Sequence, residues 1–66
     1  MKILAVVATL RAFPEQRVNM GQVGTVVEKL DRGYVLVEFA DMNGVAHALV
    51  PVPEDQLIEL KHTPQG

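Results

Sequence analysis

Apolar positions gather in five short clusters along the chain. Residues 3–8, Ile-Leu-Ala-Val-Val-Ala, are continuously apolar. A strand covered on one face alternates, and one covered on both faces does not. This run therefore predicts a first strand with the core on one side and a neighbouring subunit on the other. A short buried helix competes, because Leu4, Ala5 and Ala8 are helix formers; the shortness of the run and its valines favour a strand. Residues 23–30 form a second, β-branched run, and Asp31-Arg32-Gly33 is a turn. Residues 34–40 alternate: Val35, Val37 and Phe39 are assigned to the core, Tyr34, Leu36 and Glu38 to the outside. Asn43-Gly44, within Asp41-Met42-Asn43-Gly44, is a hairpin signal. Residues 45–50 give a fourth strand, ended by Pro51 and Pro53. Residues 53–56 suit a single 3₁₀ turn, with proline first and acids near its positive end. Residues 57–60 close the set, and residues 61–66 read as a flexible polar tail.

The longest connection, residues 9–19, contains Pro14 and the polar Glu15-Gln16-Arg17. Phe13 is its one large apolar residue; it either folds back to cap the core or lines a ligand groove. Gly21, Gly24 and Gly33 are expected to serve the backbone. Gly21 and Gly24 would supply a positive φ or a bulge where the chain bends, and Gly33 and Gly44 the tight turns. A phosphate-cradling role for Gly21 and Gly24 would need a helix to follow, and a strand follows instead.

One strand, a long loop, three strands in close succession, a 3₁₀ turn and a last strand make the plan of a small five-stranded SH3-like barrel, all-β, over residues 1–60. An oligonucleotide/oligosaccharide-type barrel is the rival, but it needs a helix for which this chain has no room.

Length sharpens the picture. Sixty-six residues make one domain, and a chain this short buries only about 60% of its unfolded surface. Such domains usually add a disulfide, a metal or a partner subunit. The chain has no cysteine, which removes disulfides and thiolate zinc sites. His47 and His62 are far apart in sequence. Oligomerisation is the remaining staple, and a hydrophobic content of 48% supports it. Ile3, Ala5, Val7, Tyr34, Leu36 and His47 are the candidate interface residues.

The net charge of −2 comes from six scattered basic residues against eight acidic ones. No basic run provides a phosphate footprint, which argues against nucleic acid as a ligand. The apolar start is too short to span a bilayer, and cleavage of it as a signal would remove a needed strand. No membrane association is expected. A cytoplasmic location is, since cysteine-free chains are at home there.

Candidate chemistry is thin. The chain has no serine or cysteine nucleophile. Thr9, Thr25, Thr63, Tyr34 and the lysines have no base at a telling spacing. Glu28 and Glu38 sit on neighbouring strands and could face each other as an acid–base pair. Outward carboxylates that protect against edge pairing are the simpler reading. His47, among Val45, Ala46, Ala48 and Leu49, reads as a packed or interface residue. No catalytic residue, metal or cofactor is assigned.

Several stretches together resemble a family of short bacterial proteins known only as a domain of unknown function. They are the apolar first strand, Phe13-Pro14-Glu15, Gly21-Gln22-Val23-Gly24-Thr25-Val26-Val27-Glu28, Val37-Glu38-Phe39, the Asp41 to Gly44 turn, Ala48-Leu49 and Asp55-Gln56-Leu57. The resemblance spans nearly the whole chain and implies no activity. A weaker similarity, through Gly24-Thr25-Val26, is to the KOW motif, which implies RNA or protein binding. The functional expectation is a non-enzymatic, self-associating protein-interaction module. An immunity or antitoxin-like protein that binds a partner toxin is one alternative, and a KOW-like nucleic-acid binder is another.

Overall fold

A computed structural model describes residues 1–40 and 47–60. The described chain is all-β. It contains β1 (Val6–Thr9), β2 (Val23–Lys29), β3 (Tyr34–Ala40), β4 (His47–Pro53) and β5 (Leu57–Glu59). They form one antiparallel sheet in the order β4-β3-β2-β1-β5. The sheet is open in its pairing: β4 and β5 stand at opposite ends of the order, with no bridge joining them among the described residues. A closed barrel, the sequence expectation, is therefore not what the pairing describes. Asn43 and Gly44, and the tail at 61–66, lie outside the described residues.

The core is built from β-branched side chains at alternate positions. Val35, Val37 and Phe39 of β3 are buried, as their alternation predicts, and Val50 and Val52 of β4 stand opposite Val37 and Val35. Val7, Val18, Val26 and Leu57 complete the cluster, with Met1, Ala5, Phe13 and Ala48 packed against it. Phe13 thus covers the core.

Four boundaries differ from the sequence reading, each for a local reason. The first strand starts at Val6, not at residue 3. Residues 2–5 make a turn instead, in which the Ala5 N–H donates to the Lys2 carbonyl at 3.0 Å and Leu4 takes a left-handed φ of 73°. The chain then rejoins the sheet through the Leu4 N–H to the Val26 carbonyl at 2.6 Å. The bulge in β2 falls at Val27, between the pairs Val26↔Val37 and Glu28↔Leu36, and not at a glycine. Among the described residues there are two 3₁₀ segments rather than one, Pro14–Gln16 and the expected Glu54–Gln56, while Asp31–Gly33 is the expected tight turn, with Arg32 at a left-handed φ of 64°. Finally, Pro51 does not end β4 but lies inside it, and the strand runs on to Pro53 as its last residue. Two residues apart on a strand, their ring nitrogens face the same side. β4 has β3 as its neighbour on one side only, so its outer edge accommodates residues with no N–H to donate.

The long connection is ordered by its ends. Buried Thr9 donates its hydroxyl to the Asn19 carbonyl at 2.9 Å, and its backbone exchanges bonds with Gln22 and Gly21. Midway, Phe13 and Val18 bond each other reciprocally at 2.8 and 3.1 Å around Pro14–Gln16, and Arg17 closes the turn with a left-handed φ of 60°.

Candidate interaction surface

Strand parity decides which side chains reach solvent. On β1, Val7 points inward and is 0% exposed, with buried Thr9 on the same parity. Val6, Ala8 and Leu10 take the opposite face. Register carries that face to both neighbours. Ala8 stands opposite Val23 of β2 and Ile58 of β5, and Val6 stands opposite Thr25. Beyond β5, the Leu60 N–H donates to the Val6 carbonyl, and the Leu10 N–H to the Gln56 carbonyl, both at 2.8 Å. The outer face of this half of the sheet is therefore Val6, Ala8, Leu10, Val23, Thr25, Gln56, Ile58 and Leu60, with no charged side chain among them.

These side chains are open to solvent. Val6 is 41% exposed, Leu10 50%, Val23 51%, Ile58 51% and Leu60 39%. Ala8, in the middle, is covered by its neighbours. An antiparallel sheet with one wet face normally alternates apolar-in and polar-out. β1 is apolar on both faces, with its inner face on the core and its outer face bare.

The outer face across β3 and β4 has a different character. It carries Tyr34, Leu36 and Glu38 on β3, Leu49, Pro51 and Pro53 on β4, and Glu28 after the bulge in β2. Apolar groups are interrupted there by two carboxylates. Glu28 stands opposite Leu36 and Glu38 opposite Thr25, so the two acids are not paired across the strands as the sequence allowed.

The expected interface residues are thus dispersed. Val7 is a core residue, and Ala5 is half-buried against the core. Ile3 is exposed in the turn before β1, Tyr34 and Leu36 lie on the β3 half of the outer face, and His47 opens β4 opposite Ala40. Val6, Leu10, Val23, Ile58 and Leu60 take the place assigned to Ala5 and Val7. No signal in the run reveals this: Thr9, the polar residue that ends it, is buried on the same face as Val7 with its hydroxyl bonded to the Asn19 carbonyl, so alternation read from it gives the opposite phase.

The three glycines differ in role. Gly21 and Gly33 have φ of 81° and 79°, in open surroundings. Gly24 has no such φ. A Cβ there would come within 2.7–2.8 Å of Val37 Cγ1, the Glu38 carbonyl oxygen and Phe39 Cδ1. Its role is close approach between β2 and the β3 core side chains.

The loop after β1 holds an open cleft of about 250 Å³ lined by residues 11–16, where the Arg11 guanidinium carbon sits 4.9 Å from the Phe13 ring centre. Among the described residues no group of three or more His, Cys, Asp or Glu is placed to hold a metal ion. No helix among them is long and apolar enough to cross a membrane.

Residues 3–59 match the model of a family described as a domain of unknown function, DUF4926. No curated protein and no solved structure matches the chain.

Proposed function

The chain belongs to the DUF4926 family, and we propose that it is a non-enzymatic protein-interaction module of SH3-like plan that associates with copies of itself. The observation that carries this reading is the uncharged, solvent-open outer face of β1 and its neighbours. Apolar area left in water costs about 25 cal/mol per Å² relative to burial. A domain of this size has few other ways to gain stability.

The SH3-like plan is supported by the strand order β4-β3-β2-β1-β5, the long β1–β2 connection and the 3₁₀ turn before β5. The bulge at Val27 adds the strong bend that lets one strand serve two halves of a curved sheet.

Sedimentation equilibrium at micromolar loading tests the reading. A mass above that of the 7.2 kDa chain is expected. A folded monomer throughout the range would refute it.

A further inference from the structure

We propose that two copies associate face to face through the outer surface of the β5-β1-β2 half of the sheet, with Val6, Val23 and Ile58 at the centre of the contact. This rests on the self-association proposed above and specifies its surface and geometry.

Three observations select this surface. The first is its charge. A two-fold contact sets each residue against the same patch of the other copy, so a charged patch repels itself while an uncharged one does not. On the outer face, β5, β1 and residues 23–25 of β2 carry no charged side chain, whereas Glu28, beyond the bulge in β2, and Glu38 of β3 do.

The second is area. From their fractional exposures, Val6, Leu10, Val23, Ile58 and Leu60 leave about 450 Å² in water, already in the range of the largest patch on an ordinary monomer. Two copies would bury about 900 Å² of this patch, the size of a weak, reversible contact.

The third is the state of the sheet edges, the rival route to self-association. β4 carries Pro51 and Pro53 on its outer edge, which leaves few N–H groups for a partner strand. β5 is three residues long. Short or proline-bearing edges resist strand addition. Pairing edge to edge is therefore disfavoured, and packing face to face remains.

The full chain tests this through Val23→Lys and Ile58→Lys, each placing a charge in the proposed contact from a different strand. Leu49→Lys on the other half is the control. Sedimentation should show dimer association weakened at least about 100-fold by either contact variant. The control should stay within about threefold of the parent. A second readout needs no variant: amide chemical shifts followed over a dilution series should move at residues 6–10, 22–25 and 56–60. If the parent chain is a monomer, both this inference and self-association fall. If the parent is a dimer that the contact variants leave intact, or whose dilution shifts map to β3 and β4, self-association stands and this surface is wrong. A contact variant that does not fold leaves the dilution map to decide.

Discussion

At Gly24 a single hydrogen atom in place of a side chain sets how closely two strands approach. The Cβ of any other residue would overlap Val37, Phe39 and the Glu38 carbonyl. Two of the three obstacles are packed core atoms and one is backbone, so none can swing aside cheaply. Gly24→Val is expected to cost about 1–3 kcal/mol or more, seen as a lower denaturant midpoint. An unchanged midpoint would mean that the strands separate freely there. Arg32 presents the opposite case. Arg32 and Gly33 both have positive φ, 64° and 79°, and the Tyr34 N–H donates back to the Asp31 carbonyl. Positive φ at both central positions is the pattern of a type I′ hairpin turn, which favours Asn-Gly. Arginine is strained in that conformation, where asparagine is better tolerated. Arg32→Asn should therefore raise stability by about 0.5 kcal/mol, readable as a higher melting temperature. A fall in melting temperature would show that the arginine side chain contributes more than its backbone costs.

At the scale of the element, β4 shows how position in a sheet changes the meaning of a residue. Proline in a central strand breaks a ladder, while on an outer edge it removes only donors that had no intramolecular partner. Pro51 and Pro53 therefore let β4 continue to Pro53 while blunting its edge. Replacing both with threonine should leave the fold intact and increase aggregation on concentration, as fresh N–H groups become available for strand pairing. Light scattering of the double variant against the parent measures this. Equal scattering would show that the edge is protected by something other than the prolines. β1 is instructive in a different way. Its apolar run has a strand's composition, yet its first residues form a turn around Leu4 at φ 73°. Composition marks that a strand is present; the turn marks where it starts, and nothing in the residues 3–5 announces a left-handed leucine.

For the whole molecule, eight acidic against six scattered basic residues predict weak binding of nucleic acid. In a fluorescence-anisotropy titration at about 150 mM salt, no sub-micromolar dissociation constant for RNA or DNA is expected. A tight, steeply salt-dependent complex would instead favour the KOW-like reading. If the chain functions as a dimer, its melting temperature should also rise with protein concentration, since association stabilises only the folded form. Differential scanning over a hundredfold range of concentration reads this directly. A constant melting temperature would place self-association outside that range.

The sequence by itself determined the all-β class, the long first loop, the last 3₁₀ turn and the inward face of β3. That face was legible because Glu38, between Val37 and Phe39, marks the phase of the alternation. It also indicated that the first strand is apolar on both sides. Which side faces the core was decided only by tertiary structure. A one-residue shift of phase exchanges the two faces of a strand, and a run without a polar marker leaves that phase open. The turn at Leu4 and the pairing of Val7 with Gly24 fix it, burying Val7 and exposing Val6. The status of Pro51 and Pro53 is likewise non-local, because an edge exists only once the neighbours of β4 are known. The apolar surface across β5, β1 and β2 has the same origin: its residues are spread from Val6 to Leu60, and only the register of three strands brings them together.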